Sequence, residues 1–291
     1  MHTWTKAKSP ALLRFENELD YCCGEPENWI IEVTSLSYDY YGLLATTWDV
    51  WRDNTAGWSD RNLFLDVVRQ YGEPVLDIGC GTGRIILDFL AQRIDIEGLD
   101  NSPEMLAICR TRSEKLGLSP TLHQQQMETM DLPRKYRTIL GPSSALQLVT
   151  DLDSSRETLR RIFASLEPGG AFTTPFAFAW REGEPLDTGW QLLFEKPRPG
   201  DGALVRSWTR EWREPERQWW HTEQRFEVVL NGKVIENEFQ RRSPEGRWYS
   251  QAEAQQMFRD VGFTKIQCLH DFTHEPVRPE DALFCVLGVK P

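Results

Sequence analysis

Residues 73–90 read EPVLDIGCGTGRIILDFL. An apolar burst runs into an acid, then into glycines at 79, 81 and 83, then into a second apolar run. Glycine enters positive φ without penalty and lets another molecule approach the backbone closely. A short buried strand, a tight glycine turn and a helix make the opening of an α/β unit. The turn falls at the carboxyl end of the strand, which is where open α/β sheets bind their ligands.

The segments that follow keep this rhythm. Strands are expected at 74–79, 94–100, 120–126, 136–142 and 171–176. Helices are expected at 84–93, 102–117 and 154–170. Ser102 caps the second helix, Pro103 fits its first turn and Gly117 ends it. Ser154 and Glu157 have the spacing of a capping box. Upstream, YDYYGLLATTWDVW (38–51) places Tyr41, Leu44, Trp48 and Trp51 three and four residues apart, as on one helix face. Residues 58–72 read as a helix between Ser59 and Gly72. Past Phe176 the period drops to two in ALVRSWTREW, QWWHTEQRFEVVL and KVIENEFQRR, and Asn231-Gly232 marks a hairpin. A helix from Ser250 to Gly262, with a capping box of Ser250 and Glu253, and two closing strands restore the α/β pattern.

These elements define an α/β fold: a doubly wound, seven-stranded, mainly parallel sheet with an antiparallel β insertion. The expected division is an N-terminal helical cap or lid over 1–57, a Rossmann-like domain over 58–179 and 247–291, and the insertion over 180–246.

The motif narrows the ligand. Read from Gly79, the turn is G-C-G-T-G-R, so Arg84 stands where the dinucleotide fingerprint G-x-G-x-x-G/A needs a small residue. No G-x-x-x-x-G-K-[ST] phosphate loop is present. Asp77 ends the first strand with a charge that repels a pyrophosphate and suits an amino group. Asp100 ends the next strand, where a carboxylate accepts hydrogen bonds from ribose hydroxyls. A ligand with a ribose, a cationic amino-acid tail and no phosphate chain fits both; S-adenosylmethionine is such a ligand.

The residues also carry a family resemblance. VLDIGCGTGR (75–84) is similar to the first motif of the class I S-adenosylmethionine-dependent methyltransferases. GLDNSPEMLAICR (98–110) resembles the second, in which Asp100 holds the ribose while Asn101 and Met105 flank the adenine. QQMETMDLPRKY (125–136) resembles their G-D-M-x-x-L-P segment. Met127 matches the apolar neighbour of the adenine, and Gln126 replaces the usual acid. SLEPGGAF (165–172) and RWYSQAEAQQMFRDVGF (247–263) resemble later motifs. The resemblance implies S-adenosyl-L-methionine as cofactor, bound by Tyr41, Trp48, Asp77, Gly79, Cys80, Gly81, Asp100, Asn101, Met105, Gln126, Met127 and Ser143. The insertion resembles the substrate platform of small-molecule N-methyltransferases, and 41–49 the aromatic helix that closes over their cofactor.

Methyl transfer is an in-line displacement, so the protein supplies alignment and a dry pocket, and a base only if the nucleophile arrives protonated. Two residues are catalytic candidates. His221 shares a strand face with Trp219 and Glu223, a face that is either a cleft wall or ordinary strand surface. Tyr249, with Arg247, lies where the insertion rejoins the sheet. Tyr41, Trp48 and Trp51 either pack against the core or line the site. Trp51, Ser144, Gln147, Trp219 and Arg247 are the candidate acceptor contacts. His270 could look into the cleft, and His123 reads as structural.

A net charge of −11 disfavours nucleic acid as a partner. The sequence has no secretory leader and no run of apolar residues long enough to span a membrane, so neither export nor a membrane is expected. Six cysteines without a C-x-x-C pair suit a reduced, cytoplasmic protein. No metal is expected. The expected activity is methylation of a small-molecule N- or O-acceptor by a monomer or homodimer. The alternatives are an RNA or protein methyltransferase, or a non-catalytic binder of the same cofactor.

Overall fold

A computed structural model describes residues 38–52 and 59–291, and the backbone alone of 31–33. Most of the expected cap, with Cys22, Cys23 and His2, lies outside the described residues.

Chain order begins with β1 (Ile31–Val33), two short helices α1 (Gly42–Thr46) and α2 (Trp48–Arg52), and α3 (Asp60–Tyr71). The α/β unit follows as β2 (Val75–Ile78), α4 (Arg84–Ala91), β3 (Ile96–Asp100), α5 (Pro103–Leu116), β4 (Thr121–Gln124) and β5 (Tyr136–Leu140). A 3-10 segment Pro142–Leu148 leads to α6 (Leu152–Ser165) and β6 (Leu166–Ala177). Then come β7 (Gln191–Pro197), β8 (Leu204–Glu214), β9 (Trp219–Leu230) and β10 (Lys233–Arg247). α7 (Gln251–Val261), β11 (Thr264–His270) and β12 (Leu283–Val289) close the chain.

Seven strands form one sheet in the order β11-β12-β6-β5-β2-β3-β4. Every pair from β6 to β4 is parallel, and β12 is antiparallel to both its neighbours. β2 is buried at all four positions because helices cover both faces of the sheet. Phe172, Phe176, Phe258 and Phe284 pack one side, and Phe64, Ile86 and Phe89 the other. Chain order doubles back between β2 and β5, and the crevice above that point is the switch point of the fold.

A second sheet, β1-β10-β9-β8-β7, is antiparallel except for β1 against β10. The hairpin between β9 and β10 turns on Asn231 (φ 52°) and Gly232 (φ 75°), which a two-residue turn of this hand requires. α1 and α2 lie against one face of this sheet. Leu43 and Leu44 pack with Phe194, Val205, Phe226 and Val228.

Several local expectations change. Residues 38–51 form two short helices instead of one. Ser59 has helical dihedrals and caps nothing through its side chain. The helix expected from Ser154 starts at Leu152, because Asp151 takes the Ser154 amide and becomes the cap; Glu157 instead pairs with Arg160 and Arg161. Ser102, Gly117, the Ser250–Glu253 box and Gly262 cap as their residue types demand.

Candidate active site

The glycine turn does what its composition allows. Gly79, Gly81 and Gly83 have φ of 71°, 53° and 91°. At Gly83 a Cβ would come 2.6 Å from Cys109 Sγ and 2.9 Å from Leu87, so side chain and conformation both select glycine. The turn opens into a cleft of about 880 Å³ of atom-free space, part of it open solvent.

Two carboxylates set its chemistry. Asp100, at the end of β3, accepts from Gly81 N at 2.8 Å and Ser102 N at 2.9 Å. One side chain thereby ties the glycine turn to the N-terminus of α5. Burial pushes its carboxyl above the usual range. Asp77, at the end of β2, is 1% exposed. Burial pushes it up to about 7, against the pull of Arg84 and the Ile86 amide. Its Oδ1 is buried and has no hydrogen-bond partner among the described residues. An unmatched carboxylate oxygen facing a cavity is costly unless a cation completes it.

Around these acids the cleft is lined by Gly79, Cys80 and Gly81 on the turn, Asn101 and Met105 after β3, Met127 and Ser143 on later loops, and Trp48 from α2. Tyr38, Tyr40, Arg52, Thr82 and Gln125 also line it and were not read from the sequence. Two of the expected contacts are not among the lining residues. Tyr41 is not among the residues that line the cleft, and its carbonyl accepts from Gln240 at 3.0 Å; Tyr40 lines it. Gln126 does not line the cleft; Gln125 does, because β4 ends at Gln124 and the chain turns at once.

α1 and α2 roof the cleft and are fastened by polar contacts. Gly42 N donates to Glu104 at 2.7 Å, and Leu43 N to Glu238 at 2.7 Å. Ser102 Oγ donates to the Tyr40 carbonyl, and Asn101 Nδ2 to Asp39. Asp49 accepts from Thr82 Oγ1 at 2.6 Å and pairs with Arg112 at 3.3 Å.

A second chamber, of about 450 Å³ of atom-free space, part of it open solvent, lies between α1–α2 and the inner face of the insertion sheet. Tyr40, Trp48 and Arg52 line both spaces and so stand at their junction. Trp51 lines this chamber and not the cleft.

The remaining candidates lie elsewhere. His221 alternates with Thr222, which faces the chamber, so its ring points to the other face of β9. There it stacks on Trp212 at 4.7 Å, its cross-strand partner, and bonds Ser243 at 2.9 Å. Burial holds its pKa down. Trp219 Nε1 reaches the Thr150 carbonyl at 3.4 Å. Tyr249 is buried in the core with its hydroxyl on Ser155 Oγ at 3.1 Å. Arg247 stacks over the Tyr249 ring and bonds Gln218 at 3.1 Å. Gln147 is fully buried and clamps Ala177 N and O and the Arg247 carbonyl. Ser144 lines neither space. His270 pairs with Asp281 at 2.8 Å on the outer strand of the sheet, and His123 bonds Glu97 at 2.8 Å. Among the described residues no group of three or more His, Cys, Asp or Glu could hold a metal ion, and no helix is long and apolar enough to cross a membrane.

The fold and the acid-flanked glycine turn define a class, and comparison with known proteins agrees. Residues 75–170 match the family model of a methyltransferase domain. Over that segment the chain is similar to methyltransferase domains. It is 29% identical over 113 residues to dTDP-3-amino-3,4,6-trideoxy-alpha-D-glucopyranose N,N-dimethyltransferase of Streptomyces venezuelae, a match covering 36% of this chain and 46% of that one. It is 31% identical over 99 residues to a ubiquinone biosynthesis O-methyltransferase of Nitrobacter winogradskyi, covering 34% and 36%. The chain spans less than half the length of the curated relatives it matches. In fold it is similar to an S-adenosylmethionine-dependent methyltransferase from Clostridium acetobutylicum, with TM-score 0.67 and 16% identity, covering 84% of this chain and 96% of that one.

Proposed function

We propose that the protein transfers a methyl group from S-adenosylmethionine to a small-molecule acceptor. The observation that carries this reading is the buried, unmatched Oδ1 of Asp77 beside the cleft that Asp100 closes. Asp77 would hold the amino group of the cofactor and Asp100 its ribose hydroxyls. Asn101, Met105 and Met127 would enclose the adenine. Bound there, the cofactor would supply a methyl carbon for in-line transfer to the acceptor's lone pair, the carbon–sulfur bonding pair staying on sulfur. The chain's own work is to align the acceptor and exclude water, contributions of roughly 7–11 kcal/mol in well-oriented systems.

The acceptor would reach the cleft through the chamber below the roof. The insertion sheet with α1–α2 would then form the acceptor platform, and the seven-stranded sheet the cofactor domain. A small acceptor also fits the chain's acidity, which repels a nucleic-acid backbone. Incubation with S-adenosylmethionine and size-fractionated cell extract tests the reading. Release of S-adenosylhomocysteine is expected with the low-molecular-weight fraction. Release with the macromolecular fraction alone would overturn it.

A further inference from the structure

The outer face of the insertion sheet, turned away from α1 and α2, is ordered by cross-strand pairs. Val205, Thr209, Thr222, Gln224 and Phe226 face inward, so the alternate residues of β8 and β9 face outward. In register these are Arg206 with Glu227, Trp208 with Arg225, Arg210 with Glu223 and Trp212 with His221. β7 adds Leu192 beside Trp208 and Glu195 beside Arg206. β10 adds Phe239 beside Arg225 and Arg241 beside Glu223. Trp190 joins the same face, with the Arg225 guanidinium 4.3 Å over its ring and the Phe239 ring 6.4 Å away.

Aromatic rings alternate here with arginines, and no lysine stands at any of these positions. Protein interfaces are enriched in Trp, Phe and Arg and depleted in Lys. Trp190 and Leu192 are 37% and 56% exposed, and with the half-buried Trp208 and Phe239 they make one apolar band across the sheet. Solvent-facing hydrophobics scattered singly are ordinary, whereas a contiguous band marks a contact surface. Much of the charge beside the band is already paired within the face. Arg206 pairs with Glu195, and Arg210 with Asp187 at 2.6 Å. Covering such a face isolates fewer unpaired charges.

The register selects the occupant. A twofold axis running along the strands, between β8 and β9, lays each β8 residue opposite the partner copy of its own cross-strand neighbour. Arg206 then meets the partner's Glu227, Arg210 the partner's Glu223, Trp208 the partner's Arg225 and Leu192 the partner's Phe239. Each pairing is an ion pair, a cation over a ring or an apolar contact. A twofold running across the strands through Trp208 and Arg225 would instead set Arg206 against the partner's Arg210 and Glu223 against the partner's Glu227. A nucleic-acid backbone would meet Glu195, Glu223 and Glu227 among the arginines and be repelled. We infer that the protein is a homodimer whose two outer faces stack about the twofold parallel to the strands. The two insertion sheets form an aligned sandwich with a spacing of about 10 Å. The cleft and its roof lie on the inner side of each sheet, so the dimer leaves both open and stands independently of the methyltransferase reading.

The test is sedimentation equilibrium on the full chain, with thermal melts as the check on folding. The wild type is expected to run at twice the chain mass at micromolar concentration. Leu192→Glu places a charge against the partner's Phe239, and Glu227→Arg places two guanidiniums face to face. Each is expected to weaken the dimer at least tenfold while the melt stays cooperative. Leu116→Glu, at an exposed leucine of α5, is the control and is expected to leave the dimer intact. A wild type that stays monomeric at tens of micromolar would overturn the inference. So would a dimer that persists unchanged in both Leu192→Glu and Glu227→Arg, or one lost only in Leu116→Glu.

Discussion

Asp100 and Gly81 are joined by a 2.8 Å hydrogen bond from the glycine amide to the strand-end carboxylate. The same side chain takes the Ser102 amide at 2.9 Å, so one acid fixes the two loops that bound the cleft. Asp100→Ala would unmatch two amides at once. A buried donor left unsatisfied costs about 1–3 kcal/mol, so the variant should melt lower and lose cofactor binding. Asp100→Asn keeps an acceptor for one amide and should retain more stability than affinity. Thermal melts and calorimetric titrations on both variants separate the two effects.

Asp77 gives a pH dependence. Its carboxyl stands near 7 in the ligand-free fold because burial disfavours the charge. The acid form is the one the fold prefers. Its stabilising contribution is therefore complete below the ordinary carboxylate value of 3.8 and is lost as pH rises through about 7. Cofactor binding has the opposite sense, since a cationic amine needs the carboxylate. Affinity for S-adenosylmethionine should rise between pH 6 and 8. Asp77→Asn should flatten that rise, weaken binding, and stabilise the ligand-free protein at pH 8 by on the order of 1–3 kcal/mol.

Gly83→Ala forces a side chain into positive φ and against Cys109 and Leu87. Strain and overpacking together should cost about 2–5 kcal/mol. Chemical denaturation measures the loss; a midpoint equal to that of the wild type would show that the turn can shift to make room.

The roof is held partly by Asp49, which bridges Thr82 and Arg112. Asp49→Ala should speed amide exchange in α1 and α2 and shorten cofactor residence, with the seven-stranded sheet unaffected. Exchange mass spectrometry with stopped-flow release would report both, and unchanged exchange over 42–52 would mean that the other contacts suffice.

Tyr249→Phe removes a hydroxyl whose partner is Ser155, inside the core. It should lower stability by about 1 kcal/mol and leave turnover within threefold of the wild type. A hundredfold fall in turnover with intact folding would return Tyr249 to the chemistry.

What the sequence made legible follows from the range of the forces involved. The α/β core was readable because strand runs, helix faces and caps are local, as at Ser102, Gly117 and Ser250. Asp77 and Asp100 were readable because each ends a strand and their places follow from topology. Tyr40 was missed in favour of Tyr41 because both precede α1, where helical spacing no longer decides which ring points inward. His221 was misplaced because period two groups residues by face without saying which face meets the helices. β7 went unread because a register shift between Leu192 and Phe194 breaks its alternation. Glu211 and Glu245, which line the second chamber, gave no local signal; they come together only when β8 and β10 close around β9.

Nothing probes the cleft more sharply than a crystal structure of the chain with S-adenosylhomocysteine. The ribose hydroxyls should lie within hydrogen-bond distance of Asp100, the amino group beside Asp77, and the sulfur should face the junction formed by Tyr40 and Trp48. A nucleoside seated away from both acids, or a cleft that stays empty at saturating ligand, would contradict the assignment.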